Sequence, residues 1–419
     1  EIPSGLLDGA YEEGGELDLY AEFAADHIVR RDPEGRWCEW NGTGYVNPLA
    51  GVTGGNITDI KEAPNGDIYV CGAFTGVSNG GNAVPNTKGI ARWSKVNQIW
   101  EAVGDPNTGA TIDWIWCMIF DANGDLYIGG KFTNLANIAN ADNFAKYTVS
   151  NNTWSAIGSG INDSVYAIEI EPNGTIYIGG FFTEASGNVN CKRIAYWSGS
   201  AWAPLSTGLI DYVRDLKFAP DGKLLIAGAF NSAGGTGGAY ICWWDGSAFK
   251  SFENLGAIGL NSGVASIDIN PNGTIIIGGD FTNAGGDPNA NYVAEWHGNN
   301  WGSLAAGGLN SYVRKVYCAD NGDIYIGGFF TQAGNLQLTD RIVKSTQGTY
   351  QSLDIELPGI EVVNTILSAS DGSLYIGGRF STIAEDPDEN AVSGVVALNV
   401  SSGSANTYPF ISVMGPGKL

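Results

Sequence analysis

Histidine and methionine are the scarcest residues in the chain, with two of each among 419, and only 21 lysines and arginines stand against 44 acidic residues. The shortage of basic residues, rather than any long acidic run, sets the net charge of -23. A nucleic-acid partner is therefore excluded, because phosphate binding by counterion release needs a basic surface. With only His27 and His297 available, a Ser-His-Asp site is poorly supplied; neither lies near a nucleophile elbow, and no GxSxG occurs. The six cysteines, Cys38, Cys71, Cys117, Cys191, Cys242 and Cys318, are scattered without a CxxC pair. They read as small buried hydrophobes, with disulfides the alternative. No apolar run reaches the roughly 18 residues that a membrane-spanning helix needs. Glu1 opens the chain without an initiator methionine, which suits a processed product.

What the chain has in excess is glycine, 61 residues, about twice the usual ~7% share. Hydrophobic residues make up 43% and aromatic ones 11%, enough to build a core and to exclude disorder for most of the length. The glycines recur in a pattern. Seven segments share an apolar run, an Asn-Gly or Asp-Gly turn, a second apolar run ending in small residues, and a Phe followed by Thr, Asn or Ser. GDLYIGGKFT ends at Thr133, GTIYIGGFFT at Thr183 and GDIYIGGFFT at Thr331. Their phenylalanines, Phe74, Phe132, Phe182, Phe230, Phe281, Phe330 and Phe380, are spaced by 58, 50, 48, 51, 49 and 50 residues, a period that belongs to propeller blades. An eighth copy aligns without gaps over Leu6–Phe23, centred on Phe23, although it carries Tyr20-Ala21 where others have Gly-Gly.

Each repeat holds four strand-like runs, in one copy Val165 to Glu171, Thr175 to Thr183, Arg193 to Ser198 and Ala201 to Leu205. Asn-Gly between the first two predicts a type I′ hairpin turn. The expected fold is thus all-β: one β-propeller over residues 1–419 with four-stranded antiparallel blades, eight favoured and seven the alternative. Paired glycines inside a strand imply close approach, and a Tyr or Phe of a neighbouring blade is the expected occupant of the space. Recurrent aromatics such as Trp154, Trp202 and Trp301 read as blade packing.

The combined pattern of IA-x-W, NG, YIGG-x-FT and a small-Gly loop resembles the repeats of fungal cortical polarity-marker proteins and of many secreted bacterial surface proteins, and more loosely kelch and galactose-oxidase propellers. It covers essentially the whole chain. The resemblance implies a propeller and leaves function open, since such propellers serve in adhesion, scaffolding, recognition and catalysis.

Loops joining second to third strands, and loops joining blade to blade, are expected on one face, and both sets are polar. Asn, Asp and an aromatic together suit sugar recognition, amides and carboxylates bonding hydroxyls while a ring covers an apolar sugar face. The alternative is that Asn and Asp are simply good loop residues. The binding candidates are Asp113, Trp114, Asp163, Asp211, Tyr212, Asn261, Asn310 and Tyr312. No catalytic or metal-binding residues and no cofactor are assigned. Asp121–Asp125 (DANGD) and Asp320–Asp323 are fragments of a calcium loop, but lack the full oxygen set and read better as turns. The expected function is a non-enzymatic structural or recognition propeller, extracellular, on a cell surface or on a virion such as a phage particle. Its partner is a glycan or a surface or virion protein, within a larger assembly or free of one. The alternative is a glycan-cleaving hydrolase or lyase with carboxylates at the central mouth.

Overall fold

The computed structural model describes residues 29–31, 37–40, 45–46, 52–79, 82–235, 237–252, 259–337, 341–353, 360–370, 372–380 and 392–399. The chain divides into two compact units, Glu1–Pro48 and Leu49–Leu419. In the first, Val29–Arg31, Trp37–Trp40 and Tyr45–Val46 form a three-stranded antiparallel meander. The second is a β-propeller.

Six four-stranded antiparallel sheets follow one another in the second unit: blade 1 over 57–101, blade 2 over 111–156, blade 3 over 165–204, blade 4 over 213–251, blade 5 over 264–302 and blade 6 over 313–351. In blade 3 the strands are Val165–Ile170, Ile176–Gly180, Ile194–Trp197 and Trp202–Pro204. The repeat ending at Phe380 forms a three-stranded sheet, Ile360–Ser368, Ser373–Phe380 and Val392–Asn399. That sheet lies between blade 6 and blade 1 and closes the circle of first strands, with Asn364 Nδ2 donating to the Ile57 carbonyl at 2.9 Å. The blade count therefore corrects the sequence expectation: six four-stranded blades are present among the described residues, not eight or seven. The Phe23 copy, His27 and residues 400–419, where a fourth strand of the last repeat is expected, lie outside the described residues.

The first hairpins also differ from expectation. Gly174 has φ 89°, but Asn173 before it is not left-handed, and Gly174 N–H donates to the Glu171 carbonyl at 2.8 Å while Glu171 N–H donates to Thr175 at 2.9 Å. This is a type I turn closed by a glycine bulge rather than a type I′ turn. The loop holds three residues, Pro172, Asn173 and Gly174, of which only the glycine takes positive φ, and blades 2 and 6 close the same turn with Ala122 and Asp320 in the Pro172 position. The Asn173 side chain accepts from Thr175 N–H at 2.8 Å and stabilises the turn locally.

The paired glycines do two separate jobs. At Gly179 a Cβ would run into Val213 of the next blade, 2.8 Å from its Cβ, and at Gly129 one would lie 2.6 Å from Val165 Cγ1. The neighbour is thus a β-branched residue opening the next first strand, not the expected Tyr or Phe. At Gly180 a Cβ would strike the Ser164 carbonyl oxygen and lie 2.9 Å from Val165 Cα, inside the same blade. The cause is a β-bulge between Val165 and Ala167 that presses the first strand on the second, and it recurs in the other blades. Cys71 and Ala227 replace the first glycine, whereas the second is glycine in every described copy. Behind them Phe74, Phe132, Phe182, Phe230, Phe281 and Phe330 are fully buried and form the blade cores. Trp154 and Trp202 donate through Nε1 to the Val103 and Ile157 carbonyls of the preceding blade's exit, at 2.9 and 3.3 Å.

Candidate recognition site at the loop-face mouth

Blade-to-blade loops and second-to-third loops meet on one face and are tied by a repeated clamp. Asn310 Nδ2 donates to Thr331 Oγ1 at 2.9 Å, while its Oδ1 accepts from Thr331 N–H at 2.9 Å and Gln332 N–H at 3.1 Å. Asn261 repeats this with Thr282 and Asn283, and Asn162 with Thr183 and Glu184. Two of the sequence candidates, Asn261 and Asn310, thus hold the loops together. In blade 4 the equivalent residue is Ile210, 64% exposed and unable to clamp. Beside it opens a cavity of about 410 Å³ lined by Thr183, Lys192, Arg193, Leu209, Ile210 and Gly234.

The first strands begin at this face, so their opening residues and bulges collect around the mouth of the ring. Trp114 stacks on Trp116 with centroids 4.4 Å apart and planes 3° from parallel. Trp116 meets Tyr166 edge-on at 5.6 Å, and Tyr166 meets Tyr212 at 6.1 Å, carrying an aromatic arc across blades 2, 3 and 4. Phe181 adds a face at 6.1 Å from Tyr212. Tyr312, 49% exposed, stands between Tyr292 at 5.9 Å and Phe329 at 6.5 Å on the blade 5–6 side. Of the sequence candidates, then, Trp114 and Tyr212 join one arc and Tyr312 belongs to a second aromatic group. Asp163 and Asp211 turn their carboxylates onto the Ser164 and Tyr212 amides at 2.7 and 2.8 Å. Asp113 is exposed.

Arginines are the component that sequence reading missed. Arg214 donates to Asp280 at 3.0 Å and to the Tyr212 hydroxyl at 3.0 Å. Arg314 lies 5.2 Å over the Phe329 ring, and Arg341 donates to the Phe329 carbonyl. Arg193 repeats the second arrangement on Phe181, its guanidinium 4.3 Å from the ring centroid. Partial desolvation by the neighbouring side chains, then the like charge of Arg214, push the guanidinium of the exposed Arg314 below its ordinary value. The signal was available in the repeat register: Arg214 and Arg314 stand at the bulge, two residues after Tyr212 and Tyr312.

Deeper along the first strands, carboxylates bond backbone amides of the next blade. Asp59 accepts from Met118 N–H at 3.0 Å, Asp215 from Ile267 N–H at 2.8 Å, and Asp268 from Cys318 N–H at 2.8 Å. Glu169 accepts from Phe218 N–H at 3.2 Å, and burial pushes its carboxyl up to about 7. Lys61 and Lys217 pair with Asp59 and Asp268 at 2.8 and 3.0 Å. Within the DANGD fragment Asp121 accepts from the Asn123 and Asp125 amides, and Lys146 holds Asp125 at 2.8 Å. His297 is exposed, 3.7 Å from Glu295. No helix among the described residues is long and apolar enough to cross a membrane.

Comparisons with known proteins agree on the fold. A family profile described as "Domain of unknown function (DUF5122) beta-propeller" matches residues 219–242 and 270–295, parts of blades 4 and 5. No curated protein matches. Among solved structures, the chain is similar to the extracellular domain of a putative hybrid two-component system from B. thetaiotaomicron, at 10% identity and TM-score 0.53, over 83% of this chain. The chain spans only 39% of that protein's length. It is similar also to U3-55K, at 14% identity and TM-score 0.53, covering 83% of this chain and 96% of the other. The WD40 beta-propeller domain of Doa1 aligns at 16% identity and TM-score 0.50, covering 79% and 92% of the two chains. At these identities the likeness is one of fold, and by fold this chain is a β-propeller repeat protein.

Proposed function

We propose that the protein is a recognition propeller of a cell exterior or particle surface that binds a glycan or protein partner at its loop-face mouth. The observation that carries this reading is the aromatic arc from Trp114 through Trp116 and Tyr166 to Tyr212, flanked by guanidinium groups, at the opening of the ring. Aromatic faces next to fixed polar groups are what sugar and peptide recognition use. Trp114, Tyr212 and Tyr312 are the contact residues; Asp113, Asp163 and Asp211 complete the rim, and Asn261 and Asn310 support it through the loops they clamp. An exterior setting agrees with the acidic surface and with the extracellular origin of one structural neighbour.

A glycan array with a parallel assay for reducing-end release tests the reading. Binding without cleavage, weakened at least tenfold by Trp114→Ala or Tyr212→Ala, is expected. Cleavage of the bound sugar, or binding indifferent to both substitutions, sinks it.

A further inference from the structure

We infer that the mouth of the propeller is a receptor for a carboxylate-bearing glycan, the sugar carboxylate being held by the Arg314 guanidinium while the aromatic residues cover the sugar faces. This deepens the recognition reading above and rests on it. The protein is poor in basic residues, 21 in all, yet Arg193, Arg214, Arg314 and Arg341 gather on one face. Three of the four have protein oxygens to bond: Arg214 has Asp280 and the Tyr212 hydroxyl, Arg193 the Phe181 carbonyl, and Arg341 the Phe329 carbonyl. Arg314 has none among the described residues. It lies over the Phe329 ring, and the residue is exposed.

An exposed guanidinium beside a like charge favours a planar anion, because carboxylate geometry matches the fork bidentately. Asp280 bonds Arg214 at 3.0 Å and makes no hydrogen bond to Arg314. Asp163 and Asp211 are turned onto backbone amides. A ligand carboxylate reaching Arg314 would exchange for solvent at an exposed guanidinium. Neighbouring Tyr312, half exposed, and Phe329 offer rings beside that position, which suits a sugar ring carrying the carboxylate better than an extended acidic peptide.

The test uses the full chain and three probes: polygalacturonate, its methyl ester, and poly-L-glutamate of comparable charge, with binding read by titration calorimetry. Polygalacturonate is expected to bind, with the methyl ester at least tenfold weaker and polyglutamate weaker than either. Arg314→Gln should lower polygalacturonate affinity at least tenfold, and Arg314→Lys, which keeps the charge but not the fork, should fall between. Lys250→Gln, far out on the fourth strand of blade 4, should match the parent. Failure of polygalacturonate to bind, equal binding of the methyl ester, indifference to Arg314→Gln, or a preference for polyglutamate would overturn the inference. Binding of a neutral glycan that is lost in Trp114→Ala but kept in Arg314→Gln leaves the recognition mouth standing and removes only its anionic specificity.

Discussion

At the scale of single residues, the two glycines of each second strand separate two constraints that look identical in sequence. Gly179 meets a side chain that can move, and Ala227 occupies the equivalent place in blade 4; Gly180 meets the Ser164 carbonyl, which the bulge fixes. Gly179→Ala is therefore expected to cost about 1–3 kcal/mol, the usual range for overpacking, and Gly180→Ala clearly more, measured by chemical denaturation. Equal losses would refute the division of roles. Glu169 carries a second residue-scale consequence. Its folded carboxyl is raised to about 7, chiefly by burial, so the folded state holds a proton that the unfolded state releases near the ordinary carboxylate value. The contribution is fully present below that ordinary value and is lost as pH rises through about 7. Glu169→Gln keeps an acceptor for the Phe218 amide and removes the titration. Its stability relative to the parent should therefore rise between pH 5 and pH 8, by about 1 kcal/mol once partial solvation discounts the full shift. A difference independent of pH would show that Glu169 is ionised throughout.

At the scale of the element, the asparagine clamp turns two polar loops into one platform. Asn310 satisfies two backbone amides and one hydroxyl, so Asn310→Ala should cost about 1 kcal/mol or more. Blade 4 supplies the reverse experiment. Ile210→Asn places a clamp residue where exposed apolar surface now lies, and should raise the melting temperature by a few degrees while narrowing the cavity beside Gly234. An unchanged or lowered melting temperature would mean that the Asn231–Ser232 backbone cannot meet the new amide. Sequence reading located the loops and named Asn261 and Asn310 as binding groups, but not the clamp they form, because an amide that bonds a backbone and one that bonds a sugar are the same letter. It named Trp114, Tyr212 and Tyr312 as binding candidates without the arc that joins the first two through Trp116 and Tyr166. It missed Arg214, Arg314 and Trp116 because the bulge adds a residue that simple alternation does not count. The turn type was misread because the loop holds three residues rather than two, so that only its glycine takes the positive φ expected of both Asn and Gly.

For the propeller unit as a whole, the repeat period was legible and the number of complete blades was not. Hydrophobic spacing let Leu6–Phe23 align with a blade, but that segment lacks the second glycine that every described copy needs beneath its bulge, and the last repeat shows three strands among the described residues where four were expected. Closure of the ring therefore falls to the seam between the three-stranded sheet and blade 1. There Ile57 and Ile60 come within 2.7 and 2.8 Å of where a Cβ on Gly377 would lie, and Glu62 accepts from the Ser370 amide and hydroxyl at 2.7 Å each. Glu62 also holds Lys95 at 3.3 Å, so one carboxylate joins the three-stranded sheet to two strands of blade 1. Other blade contacts join neighbours in sequence, whereas this one joins residues 308 apart, and it closes the largest loop in the unit. Glu62→Ala should therefore lower native-state hydrogen-exchange protection on both sides of the seam, at amides of 57–62 and 362–368, while blades 3 and 4 keep theirs. Uniform loss around the ring would mean that the propeller opens only as a unit. Loss confined to blade 1 would mean that the three-stranded sheet does not carry the closure.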